Sequence, residues 1–448
     1  MALLSVRNLR TYFRVKDGWV KAVDGVSLDV GAGETVGLVG ESGCGKTTLA
    51  YSITQLLPPN AYVFGGQILF SPDGRADRFR PEYWKLAEGR IEMELAQAQA
   101  ALDRLSASAQ SDESAKEVRE LQERIELLRH PLSQTYRQYL ADEIGQLRKT
   151  VAGFSDDDGS ARDLAMRKGL REAKDRLRAA TQEGDLVDMV RRRDGRLRDY
   201  DPKLNAVRWK QISIVFQGAM NALNPVYTVG TQIIEAIRAH EDLTQEAARK
   251  RVESLYQLVG IPADRIDNYP HEYSGGMKQR AMIAMALALD PKLVIMDEPT
   301  TALDVITAAK IMDEVLRIQK SMHMTIIIIS HDVSVVAKVA DRIAVMYAGE
   351  IIEESASENI FKRILHPYTE GLLGAFPSIT GAKHRLEAIP GSPPSLLTPP
   401  SGCRFHPRCK YAKDICTVQA PPYVIPEVGH RALCHFTQDF FSQGGLHI

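Results

Sequence analysis

The stretch Thr35-Val-Gly-Leu-Val39-Gly40-Glu-Ser-Gly-Cys-Gly-Lys46-Thr47-Thr48 decides the fold. Thr35–Val39 is an apolar run short enough to be one buried strand, and Gly40–Thr47 fits G-x-x-x-x-G-K-[ST]. The residues from Lys46 to about Leu57 read as a helix. Strand, glycine loop and helix in that order form the context a phosphate-binding loop requires. Glycines at 40, 43 and 45 let backbone N–H groups curl around phosphate oxygens, aided by the positive end of the helix dipole. Lys46 is placed to neutralise β- and γ-phosphate charge and Thr47 to ligate Mg²⁺. Ser42, Gly43, Cys44, Gly45 and Thr48 complete the candidate cradle, with Cys44 read as a small spacer.

Two further segments suit the same chemistry. Leu293-Val-Ile-Met-Asp297-Glu298 is an apolar strand ending in two carboxylates. Asp297 suits a Mg²⁺ shell and Glu298 suits polarising the water that attacks a γ-phosphate, although an Asp-Glu cap before Pro299 would read the same way. Ser274-Gly275-Gly276 opens a second helix as another phosphate nest. One site does not need two nests on separate helices unless the second serves another subunit, so the spacing points to a dimer.

The chain has 448 residues, 44% hydrophobic and 25% charged, with a formal net charge of −1. These values exclude a disordered or membrane-embedded chain, and no global basic field points to nucleic acid. Met1–Asn8 lacks the apolar core of a signal peptide, and Met324–Ile329 is too short to span a bilayer. Charge is unevenly spread: residues 71–205 hold 27 acidic and 26 basic side chains, against 30 and 30 in all the rest. Within this block the apolar steps at Ile91–Leu105 and Val118–Leu128 predict an antiparallel helical hairpin, and a second pair is expected over Tyr136–Leu177. The run Arg191–Arg193 with Arg196 and Arg198 reads as a solvated face.

Outside the block, short strands are expected at Leu3–Val6, Lys21–Val23, Val26–Val30 and Gly66–Phe70. Further buried strands, at Ile212–Phe216, Leu293–Met296 and Thr325–Ser330, are separated by helical stretches, the pattern of an α/β sheet covered on both faces. The expected domains are residues 1–70 with 206–380 as a nucleotide-binding domain, 71–205 as a helical insertion, and 381–448 as a Pro-rich linker with a cysteine-rich module.

With these motifs in order the chain resembles an ATP-binding-cassette (ABC) ATPase over roughly 1–70 and 206–380. The resemblance adds a Q-loop at Gln217, a signature at Ser274–Gln279, a D-loop at Ala302-Leu303-Asp304 and a switch histidine, His331. It implies a P-loop α/β cassette with a helical subdomain, and ATP sandwiched between two cassettes with Ser274, Gly275 and Gly276 of one facing the γ-phosphate held by the other. It also implies that Gln217 contacts Mg²⁺, that His331 senses the γ-phosphate, and that Phe13, rather than Tyr12, stacks on adenine. Asn221–Gly230, His366–Leu373 and the Pro-rich Ile389–Leu396 resemble the oligopeptide/dipeptide importer ATPases. Tyr273 and Lys278 depart mildly from that pattern, and the 71–205 block departs strongly.

Cys403, Cys409, Cys416 and Cys434 suit either a [4Fe–4S] cluster or Zn²⁺ by spacing alone. Some peptide-importer ATPases carry a cluster in a similar tail, so the resemblance favours iron–sulfur, as a staple far along the chain from the ATP motifs. The implied function is ATP hydrolysis that drives import of peptides or oligosaccharides. The implied partners are a second, non-identical ATPase, two transmembrane permease subunits and an extracytoplasmic binding protein, with this chain peripheral on the cytoplasmic face. The rival is a soluble ABC ATPase with a coiled-coil insertion acting on DNA; the near-zero charge weighs against it.

Overall fold

Runs that are apolar at every position, rather than at alternate ones, need cover on both faces. Such runs form the centre of the computed structural model, which describes residues 2–70, 207–218, 222–301, 303–375 and 389–446, all within one of the chain's two units. The block 71–205, with its expected hairpins and arginine run, lies outside the described residues, as does Ala302 of the D-loop.

The first strands are β1 (Ala2–Val15), β2 (Gly18–Gly31), β3 (Thr35–Val39) and β4 (Ala61–Phe70). They are followed by β5 (Ile212–Val215), β6 (Leu293–Asp297), β7 (Thr325–Ser330), β8 (Arg342–Tyr347) and β9 (Glu350–Ala356). Two late strands, β10 (Tyr423–Glu427) and β11 (His430–Leu433), complete the set. Eight of them form one sheet in the order β10-β11-β9-β8-β3-β7-β6-β5. The pairs β8-β3, β3-β7, β7-β6 and β6-β5 are parallel, and β3, β6 and β7 are buried at every residue. A separate antiparallel sheet has the order β2-β1-β4. The short runs expected at Lys21–Val23 and Val26–Val30 are one strand, carried across its irregularities by register shifts.

The helices used below are α1 (Lys46–Thr54), α2 (Val229–Arg238), α3 (Gln245–Leu258), α4 (Gly275–Leu287), α5 (Val305–Met322), α6 (Val333–Val339) and α7 (Pro367–Gly374). The α1 helix stops at Gln55, whose φ of 55° is left-handed, short of the expected Leu57. Helices α2, α3 and α4 pack around Ile233, Ile237, Val252 and Tyr256, all fully buried, giving the helical subdomain. Residues 423–433, placed by sequence in a separate C-terminal module, instead extend the cassette sheet through the β11–β9 pairing. A buried polar contact joins them: His430 Nε2 lies 2.9 Å from Glu353 Oε1, and neither side chain is exposed. Among the described residues no helix is long and apolar enough to cross a membrane.

Candidate active site

Gly40, Gln217, Glu298 and His331 each follow the carboxyl end of a parallel strand, at or within two residues of β3, β5, β6 and β7 respectively. Those strands are neighbours in the order β3-β7-β6-β5, so residues nearly 300 apart in sequence share one rim of the sheet. Loops beyond the carboxyl ends of parallel strands are where an open α/β sheet binds its ligand.

The P-loop keeps its shape for steric reasons. A Cβ on Gly40 would stand 2.1 Å from the Met346 carbonyl oxygen, and one on Gly45 would stand 1.9 Å from that of Ala22. Gly43 has nothing within 4 Å, and its φ of 80° is the reason for glycine there. Lys46 Nζ donates to the Gly40 and Glu41 carbonyls at 2.7 and 2.9 Å, spanning the loop that would receive phosphate. Cys44 is buried, and burial pushes its thiol up, which suits a spacer and not a reactive group.

The two carboxylates at the end of β6 differ sharply. Asp297 is fully buried, and neither of its oxygens has a hydrogen-bond partner among the described residues. Burial raises its pKa, while nearby Thr47 and Lys46 pull it down. An orphaned buried carboxylate beside a threonine hydroxyl fits the shell of a Mg²⁺ ion. Glu298 has three partners: Thr301 Oγ1 donates at 2.8 Å, Gln217 Nε2 donates at 3.2 Å, and His331 Nδ1 lies 3.2 Å away. Burial raises its pKa too, yet the bonds from Thr301 and His331 outweigh that and hold the carboxyl below its usual range. Its backbone φ of 50° is left-handed, a strained value for glutamate of the kind found where a side chain must be aimed.

The structure therefore brings Gln217, Glu298 and His331 together beside Lys46 and Asp297. Ser274 instead caps α4, its Oγ accepting from the Met277 N–H at 3.3 Å. Ser274 and Gly275 are exposed, and among the described residues no hydrogen bond or ion pair joins Ser274, Gly275 or Gly276 to the P-loop, Glu298 or His331. Asp304 caps α5 through Thr307 N–H at 3.0 Å. Alternation along β1 separates the two candidate aromatics. Thr11 bonds to Ser52 of α1 at 2.8 Å, so Phe13 shares the α1 side, whereas the Tyr12 hydroxyl donates to Asp24 at 2.7 Å on the other. Nothing in the sequence spacing marks Thr301 as a partner of Glu298.

The four tail cysteines line one small, partly open cavity with His366, Phe405 and Phe436. Burial pushes Cys403 up to about 11 and Cys434 up to about 12, and raises Cys409. Among the described residues no group of three or more His, Cys, Asp or Glu side chains is arranged to hold a single metal ion.

Comparison with known proteins settles the family. A model described as ABC transporter matches residues 23–193 and 180–301, and one described as oligopeptide/dipeptide transporter, C-terminal region, matches 352–416. The dipeptide transport ATP-binding protein DppD of Bacillus subtilis is 34% identical over 435 residues, covering 96% of this chain and 94% of that protein. The chain belongs to the ABC transporter ATPases. Within that family it falls in the oligopeptide/dipeptide branch, which sets aside the DNA-acting alternative. DppD of Caldanaerobacter subterraneus is 29% identical over 98% of both chains, and the oligopeptide transport ATP-binding protein OppD of Bacillus subtilis is 49% identical over 50% of this chain and 63% of its own. A solved dimeric ATP-binding cassette holding ADP and Pi is 18% identical, with a TM-score of 0.47, covering 79% of this chain and 98% of that one.

Proposed function

We propose that this ATPase energises the import of dipeptides and short oligopeptides through partner membrane subunits, working from the cytoplasmic face of the membrane. The observation that carries the ATPase chemistry is the Glu298 carboxylate, held below its usual pKa by Thr301 and His331 and met by Gln217 beside the P-loop. In this reading Lys46 exchanges the Gly40 and Glu41 carbonyls for phosphate oxygens, and Phe13 stacks on adenine. Glu298 accepts a proton from the attacking water as its oxygen bonds to the γ-phosphorus and the bond to ADP breaks. Asp297, Thr47 and Gln217 would hold Mg²⁺, which neutralises charge developing on the β- and γ-phosphates. His331 faces the γ-phosphate from the exposed side.

The Ser274–Gly276 nest, with Ser274 and Gly275 exposed, supports a sandwich dimer in which it completes the site of a second, non-identical ATPase. Two permease subunits and an extracytoplasmic binding protein would make up the rest of the importer. Peptide cargo rests on the names of the relatives and on the match of residues 352–416.

Cys403, Cys409, Cys416 and Cys434 would hold a [4Fe–4S] cluster, a reading supported by the one cavity that all four line. Such a group supplies a cross-link between tail segments. Protein purified without oxygen should be brown and contain iron and sulfide; a colourless preparation with stoichiometric zinc would overturn the cluster. For the function, the complex assembled with its membrane subunits in vesicles should take up labelled dipeptide only with ATP. ATP-independent uptake, or none of any peptide offered, would refute the assignment.

A further inference from the structure

The cysteine-bearing segment reaches the nucleotide side of the molecule through two arginines, and one of them ends on the P-loop. Arg408, next to Cys409 in the chain, is only 8% exposed. Its guanidinium meets Glu41 through two bonds, Nη1 to Oε2 at 2.7 Å and Nη2 to Oε1 at 3.0 Å. The remaining donors go to the Pro390 carbonyl at 2.8 Å and, at 3.4 Å each, to the Gly391 carbonyl and the Tyr347 hydroxyl. Glu41 is the second residue of the P-loop. Its N–H donates to the Tyr368 hydroxyl at 2.8 Å, and its carbonyl accepts from Lys46 at 2.9 Å.

We propose that Arg408 is a positioning residue for ATP binding: by clamping the Glu41 carboxylate it holds the P-loop in its phosphate-receiving curve and ties that curve to the wall of the cysteine-lined cavity. The proposal rests on ATP being bound at the P-loop and needs no particular group in the cavity. Both outer tethers on Glu41 come from residues beside that cavity. Phe405 lines it and packs against Tyr347 and Tyr368 at ring-centroid distances of 5.2 and 5.4 Å, while Arg408 immediately precedes Cys409. An exposed ion pair would do little here. This one is bidentate, and loss of the Glu41 carboxylate would leave a charge stranded in a mostly buried place.

Arg404 provides the contrast. It pairs with Asp24, lies 3.4 Å from Glu350, and donates to the Ala348 carbonyl at 2.5 Å. None of these partners belongs to the P-loop, so Arg404 anchors the tail without touching the cradle.

The test is equilibrium binding of MgATP to the full chain, with heat stability measured alongside. Arg408→Ala should weaken ATP binding about tenfold, a typical coupling between two sites, and Arg408→Lys, which keeps the charge but not the fork, should fall between. Glu41→Gln should weaken binding in the same direction, and the double variant should be no worse than the poorer single one. Arg404→Ala should lower heat stability while its ATP affinity stays within about twofold of the parent. Should Arg408→Ala unfold, Glu41→Gln alone decides. Parental affinity in Arg408→Ala or Glu41→Gln, multiplicative losses in the double variant, or an equal loss in Arg404→Ala would each overturn the clamp. Normal ATP binding by Lys46→Ala would overturn the P-loop reading itself, and the clamp with it.

Discussion

The Glu298 carboxylate at the P-loop rim and the thiols of the cysteine cavity meet opposite surroundings: donors hold the first below its usual range, whereas burial raises the second. At the rim, Glu298 is held ionised by neighbouring donors, and buried Asp297 stands beside Lys46 and Thr47. In the cavity, burial raises the pKa of Cys403, Cys409 and Cys434, favouring the neutral thiol. The difference teaches what each place is built to do. Polar donors around one carboxylate prepare it to act at once, whereas apolar walls around thiols hold them idle until something displaces their protons.

The most direct way to break the contrast is Glu298→Gln. The amide keeps the size of the side chain but removes the base, so turnover should fall by about 10²-fold or more while ATP binding persists. Unchanged hydrolysis would take the base role from Glu298. Asp297→Asn should separate stability from activity. Native Asp297 has a raised pKa, so the folded chain keeps a proton that the unfolded chain releases above about pH 3.9. Nucleotide-free stability should therefore decline as pH rises from there through the raised native pKa. The asparagine variant should flatten that slope, gain about 1–2 kcal/mol near neutral pH in denaturant unfolding, and lose hydrolysis. A variant less stable than the parent at pH 7 would mean that Asp297 is satisfied without a ligand.

At the other site, Cys409→Ala should lower the melting temperature by about 5 °C and abolish any visible absorption, while leaving measurable ATP hydrolysis. A variant that melts like the parent would reduce the cavity to ordinary packing. The smallest effect is expected from Thr301→Val. Losing its 2.8 Å bond to Glu298 should raise that pKa, and turnover should then fail at a pH about half a unit higher as pH drops. An unmoved acid limb would show that His331 and Gln217 suffice.

Local signals made much of this legible. Thr35–Val39, Leu293–Asp297 and Thr325–Ser330 are apolar throughout, and all three are buried strands. Glycines at 40 and 45 stand where any side chain would collide with backbone. The failures were equally physical. A bulge interrupts the alternation of β2, so its sequence carries the pattern of two short strands. Distance along the chain says nothing of distance in space: Arg408, beside Cys409, touches a residue 367 positions away.

By itself the sequence determined the P-loop, the carboxylate pair, the strands that carry them and the family. These depend on neighbouring residues, whose spacing is visible in one dimension. Only the tertiary structure decided that β3, β7, β6 and β5 stand side by side, that Gln217, Thr301 and His331 share Glu298, and that the cysteine segment lies against the P-loop. Those facts depend on strand order and on pairings such as β11 with β9, which are set by long-range packing and leave no local periodicity to read.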